Sequence, residues 1–154
     1  MGKIDVLKQT ALFADVPLAY FPKIMDKFEI IEIPPETEVF HEGDTGDCLY
    51  IIEDGELSVV VNIEGIGKEE VAILEKFDIL GEMAVLDDSP RSATIIAKKG
   101  AKLLKLNKAD FQVMLEEPMD ISNIILHNLI LRISKRIRAT SDKLNSFYLM
   151  EMSI

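Results

Sequence analysis

The sequence contains one cysteine, Cys48, and only two histidines, His41 and His127. A single thiol cannot build a disulfide framework, a four-cysteine iron–sulfur cluster or a cysteine-based structural zinc site. Cys48 stands in the apolar run Cys48-Leu49-Tyr50-Ile51-Ile52 and reads as a buried thiol. The histidines are far apart, belong to no ligand-spaced pair and read as surface or boundary residues, so no metal site is expected. A metal-dependent oxygenase or isomerase on a jelly roll needs clustered histidines and carboxylates, and a haem sensor needs an axial ligand set. Neither is present, so no catalytic residues and no cofactor are expected. No apolar stretch reaches the 18 residues that would suggest a membrane span. The N-terminus has no secretory apolar region, and Val6 stands where a myristoylation pattern beginning at Gly2 needs Ser or Thr. A cytoplasmic protein without a membrane partner is expected.

Positive charge is also scarce: 17 Lys+Arg face 27 Asp+Glu, for a net −10. Phosphate backbones need local positive potential, so nucleic acid is not the default partner. The basic residues are unevenly placed. Arg132, Lys135, Arg136, Arg138 and Lys143 stand against Asp142 alone, a local +4 that leaves −14 on the rest. Such a stripe on a helix is ordinarily a solvated face.

With 154 residues, 48% of them hydrophobic and 29% charged, the chain is long and apolar enough to bury one full core. Residues 1–28 read as short helices. From Glu29 the period changes to short β-rich runs at 28–33, 39–40, 49–52, 57–63, 71–74, 93–97 and 101–106. Turn clusters such as Pro34-Pro35, Asp54-Gly55 and Lys99-Gly100 separate them. Many short strands at this spacing predict an antiparallel barrel or jelly roll. A short helix follows to Leu115, and Pro118 suits the first turn of a longer one over about 119–147. On that helix Leu126, Ile130, Ile133, Ile137, Thr140, Leu144 and Phe147 follow the alternating four-three spacing of a coiled-coil seam. The seam predicts a parallel homodimer; the alternative is a helix lying on its own domain. Repeats, low-complexity tracts and flexible linkers are absent, so 1–154 reads as one domain.

The stretch from Leu80 to Thr94 fits neither a strand nor a simple hairpin. Gly81 permits close backbone approach, and Glu82–Leu86 suits one helical turn whose free N–H groups favour an anion. Arg91 offers a permanently charged fork matched to phosphate. Ser92 adds a hydroxyl, and Glu82 an acceptor-only group suited to a ribose hydroxyl. On these residues alone, a Glu82–Arg91 pair is the competing reading.

The runs Gly81-Glu82-Met83-Ala84 and Pro90-Arg91-Ser92-Ala93-Thr94 resemble the phosphate-binding cassette of cyclic nucleotide-binding domains, and Glu82 and Arg91 keep the family's step. Gly43, Asp47, Tyr50-Ile51 and Gly55 resemble the family's upstream turn, strand and turn. Leu80 stands where the family commonly has Phe. The resemblance implies an α+β domain: an antiparallel β-roll or jelly roll (29–107, cassette 80–94) flanked by N-terminal helices (1–28) and C-terminal helices (108–150), the last a long dimerisation helix. It implies that Arg91 neutralises a cyclic phosphate and Glu82 bonds the ribose 2′-hydroxyl. Gly81, Met83 and Ala84 would supply the cassette backbone, with Ser92 and Ala93 near the phosphate.

The run Lys135–Lys143 resembles the dimer helix of the catabolite activator branch of this family, in which a Thr-Ser pair contacts adenine across the dimer. Thr140 and Ser141 match that pair, although Thr140 on the seam also suits a register-setting role. The expected protein is therefore a non-catalytic sensor of cyclic AMP, with cyclic GMP as the alternative through Ser92 and Thr94. It would form a homodimer and signal to an unidentified downstream protein through the long helix and the 147–154 tail. An orphan dimerisation scaffold, or a sensor of another small anion, is the competing reading. The chain stops at Ile154 with no helix-turn-helix segment after the long helix, so no DNA-binding domain and no direct DNA binding are expected.

Overall fold

The computed structural model describes residues 2–116 and 118–152. Met1 and Glu117 lie outside them, as do Ser153 and Ile154 of the expected output tail.

Helix α1 (Lys3–Gln9) opens where Gly2 N–H donates to Asp5 Oδ2 at 3.1 Å. Two 3₁₀ turns and α2 (Phe21–Met25) follow. Eight strands come next: β1 (Glu29–Ile33), β2 (Thr37–Phe40), β3 (Cys48–Gly55), β4 (Leu57–Ile63), β5 (Gly67–Leu74), β6 (Ile79–Leu80), β7 (Thr94–Ala97) and β8 (Ala101–Asn107). Helix α3 (Glu82–Asp87) interrupts them between β6 and β7. Helix α4 (Lys108–Leu115) starts at Asn107, whose Oδ1 accepts from Asp110 N–H at 2.9 Å. Helix α5 (Met119–Met152) has 34 residues, about 51 Å of helix, longer than expected by five residues.

The strands form two four-stranded antiparallel sheets, ordered β1-β8-β3-β6 and β2-β7-β4-β5. Strand β3 is buried on both faces, which explains its unbroken apolar run. Leu49 and Ile51 join Val6, Leu7, Phe13, Phe21, Phe28, Leu106, Phe111, Ile121 and Ile125 in a core between sheet and helices. Cys48, Tyr50 and Ile52 face the other way, into the roll, with Leu57, Leu80, Ile95 and Leu103. The fold class is the one expected, an antiparallel β-roll with N-terminal helices and a C-terminal helix.

Helix α5 is anchored at its N-terminal half. Ile121, Ile125 and Leu129 enter the core, and Asn128 Nδ2 donates to Leu12 O at 2.9 Å and Ala14 O at 2.8 Å. The seam positions lie on a different face: Ile130 is 64% and Ile137 61% exposed, and Leu144 and Phe147 are open to solvent. The seam is therefore not spent on packing the helix against its own domain. Among the described residues, no helix is long and apolar enough to cross a membrane.

Candidate functional site

Strand β6, missed in sequence because it is only two residues long, pairs Leu80 with Tyr50 and Ile79 with Ile51. It delivers the chain to Gly81, whose φ of +81° is the left-handed conformation that turns it into α3. From the other side, the 43–45 turn grips the main chain of Arg91. Arg91 N–H donates to Asp44 O at 2.8 Å, and Gly43 N–H donates to Arg91 O at 2.9 Å.

The Arg91 side chain is 4% exposed. Its guanidinium lies over the Phe40 ring, 4.2 Å from the centroid, and Phe40 stacks on Tyr50. Arg91 Nη1 donates to Gly81 O at 3.0 Å and Nη2 to Cys48 O at 2.6 Å. Its Nε is buried with no hydrogen-bond partner. Gly46 passes so close that an added Cβ would overlap the Ala84 side chain and come within 3.3 Å of Arg91 Nε and Cζ. Burial pushes the Cys48 thiol up from its ordinary value, and the Tyr50 phenol likewise. Both stay neutral beside Arg91 and leave its positive charge uncancelled.

Glu82 is 2% exposed. It does not pair with Arg91. Glu82 Oε1 accepts from Arg132 Nε and Arg136 Nη1, each at 3.0 Å, and Arg132 Nη2 also donates to Ile79 O at 2.5 Å. At Arg132 and Arg136 the basic stripe thus contacts the cassette, Arg136 while still half exposed. Of the other candidates, Ala84 and Ala93 are buried, while Met83 and Ser92 are exposed. Thr140 and Ser141 are exposed on α5, one turn beyond Arg136, and Thr140 Oγ1 donates to Arg136 O at 2.9 Å. The hydroxyl of Thr94 accepts from Glu42 N–H at 3.0 Å.

The arrangement brings Gly81, Glu82, Ala84 and Arg91 together at one end of the roll. Sequence reading missed Phe40, Gly46, Arg132 and Arg136 as site residues. The last two carried a readable sign in their four-residue spacing, which puts both on one helix face.

A Gly81→Ala variant tests the local geometry. Its Cβ would overlap Arg91 Nη1 and approach Cys48 O to 3.2 Å, in a left-handed backbone. A loss of about 1–3 kcal/mol is expected in chemical denaturation; wild-type stability would contradict the packing described.

Comparison with known proteins agrees with this geometry. The sequence profile of the cyclic nucleotide-binding domain matches residues 30–117, more than half of the chain. The chain belongs to that family. A cAMP-dependent protein kinase regulatory subunit of Colletotrichum orbiculare is 35% identical over 111 residues, 72% of this chain and 28% of that protein. The chain thus spans about a quarter of the length of the curated relatives it matches. The structure of a cyclic nucleotide-binding domain from Methylobacillus flagellatus superposes with a TM-score of 0.81 at 25% identity, covering 92% of this chain and 79% of that one. The Thermus thermophilus catabolite activator protein shares the fold at a TM-score of 0.79 and 24% identity, over 88% of this chain and 62% of that one. Over the matched segment the chain is homologous to cAMP-dependent protein kinase regulatory subunits.

Proposed function

We propose that the protein is a non-catalytic sensor of cyclic AMP, with residues 1–154 acting as one cytoplasmic sensory domain. The observation that carries this reading is Arg91: a buried cation held by two backbone carbonyls and an aromatic face, with a buried Nε–H still unpartnered. A buried donor without an acceptor costs free energy, and a phosphate oxygen supplies the acceptor together with the missing counter-charge. The cyclic phosphate sits at Arg91, Ser92 and Ala93 against the Gly81, Met83 and Ala84 backbone, and the ribose lies at Glu82. The adenine reaches Thr140 of α5 and Ser141 of the partner subunit, in a homodimer formed through the exposed seam. One finding supports cyclic AMP over cyclic GMP: the kinase relative is cAMP-dependent by name. Output passes along α5 to an unidentified protein partner.

Calorimetric titration with cyclic AMP and cyclic GMP tests this. Saturable heat is expected with cyclic AMP, along with a raised melting temperature, because ligand at 100 times its Kd stabilises the folded state by about 2.7 kcal/mol. No heat and an unchanged melting temperature with either nucleotide would overturn it and favour an orphan dimerisation scaffold.

A further inference from the structure

Strand β2 breaks its alternation where it reaches the cassette. Glu38 pairs with Ile96 and Phe40 with Ile95, two steps on β2 against one on β7, so the strand bulges at Val39. Successive side chains of a regular strand point to opposite faces, yet Val39 and Phe40 both pack into the core inside the roll. The bulge therefore turns Phe40 inward. There its ring meets the Arg91 guanidinium, Cζ lying 4.2 Å from the centroid. It also stacks on the Tyr50 ring, with 6.2 Å between centroids and planes 27° apart.

We infer that Phe40 is a positioning residue of the nucleotide site: it holds the plane of Arg91 so that the buried, unpartnered Nε–H keeps one direction, toward the ligand's phosphate. The inference rests on the cyclic nucleotide reading above. Two hydrogen bonds do not fix a guanidinium. With Nη1 on Gly81 O and Nη2 on Cys48 O, the plane still hinges about the line joining those two nitrogens. A ring against the cation removes that freedom, because tilting either drives the fork into the ring or forfeits its attraction for the π face. An arginine ordered in advance binds its anion better than a mobile one, since the ordering cost is met in folding and not on binding.

The test is calorimetry with cyclic AMP on Phe40→Leu and Phe40→Tyr, each in the wild-type and the Arg91→Lys background. Phe40→Leu is expected to weaken binding about fivefold, the cost of ordering one long side chain on binding. Phe40→Tyr keeps the ring and is expected to recover that loss. An ammonium has no plane to hold, so in the Arg91→Lys background the leucine substitution is expected to cost less than about twofold. Equal loss in both backgrounds would make Phe40 a packing residue and overturn the role, as would wild-type affinity in Phe40→Leu. Melting temperatures establish that each variant is folded. Should the leucine variant fail to fold, Phe40→Met, an unbranched apolar chain without a ring, takes its place with the same expectations. A measurement without ligand separates this role from the nucleotide reading. The Arg91 Nε–H resonance, assigned by its loss in Arg91→Lys, is expected to be sharp in wild type and broadened in Phe40→Leu. An equally sharp signal in Phe40→Leu overturns the role, whereas absence of binding in wild type rejects the cyclic nucleotide reading itself.

Discussion

Arg91→Ala is expected to weaken cyclic nucleotide binding by about 2–5 kcal/mol, roughly 30-fold to several-thousand-fold in Kd, the cost of removing one partner from a buried charge pair. The size follows from the surroundings of the side chain. Arg91 is 4% exposed, and its donors Nη1 and Nη2 are fixed on Gly81 O and Cys48 O. A phosphate entering here leaves water, and Arg132 and Arg136 are committed to Glu82, so Arg91 is the cation that meets it. The alanine variant strands the phosphate without a counter-charge. It also leaves two carbonyls without their donors, at about 1–3 kcal/mol each where they stay dry, while relieving the cost of an unpaired buried cation. Calorimetry should therefore be read beside the melting temperature. Arg91→Lys separates charge from geometry: an ammonium keeps the charge but cannot span both carbonyls, so its affinity should fall between wild type and alanine. Wild-type affinity in Arg91→Ala would remove Arg91 from the site.

Much of this site was legible because its parts are local. Gly81, Glu82 and Arg91 stand within eleven residues of one another, and each residue type has a specific use there. The four-three apolar spacing on α5 was equally plain, since it needs no knowledge of the fold. What was not legible depends on rigid-body placement. Arg132 meets Glu82 across fifty residues of sequence only because Asn128 ties α5 to the carbonyls of Leu12 and Ala14 while Ile121 and Ile125 enter the core. No local pattern announces that crossing, and a basic stripe looks the same whether it faces water or a carboxylate. Gly46 was hidden for a related reason: its need for a bare backbone comes from Ala84 and Arg91 packing against it from distant segments. Strand β6 was lost to its length, because two residues carry no period.

Ile137→Asp is expected to abolish self-association. The residue sits at the middle of the seam, 61% exposed, with Ile130 before it and Leu144 and Phe147 after it. From Lys135 to Met152 every described residue of α5 is exposed; Arg136 on Glu82 is a polar tether near its start, and burial within the chain does not hold that length. Most helical stability in proteins comes from packing an amphipathic face rather than from propensity, and a two-stranded seam buries that face and stabilises both helices. Fully burying an isoleucine is worth about 1.5–3 kcal/mol; with 61% of Ile137 left to bury and symmetry counting it twice, its replacement should weaken the dimer at least about twentyfold before the aspartate desolvation is added. Sedimentation velocity should show twice the 17.3 kDa chain mass for wild type and the single mass for the variant. Circular dichroism should show helix content falling with it, because the freed segment frays. Leu131→Asp is the control: Leu131 is exposed and apolar but lies off the seam, and this variant should keep the wild-type mass. A single mass for wild type, or equal loss in both variants, would reject the parallel seam as the dimer interface. If the seam does carry the dimer, the neighbours of its residues matter for ligand response. Ile133 and Ile137 directly follow Arg132 and Arg136, the two side chains on Glu82. Any ligand that changes the Glu82 contact biases the helix on which the seam is built, and by linkage association must then alter ligand affinity by the same factor.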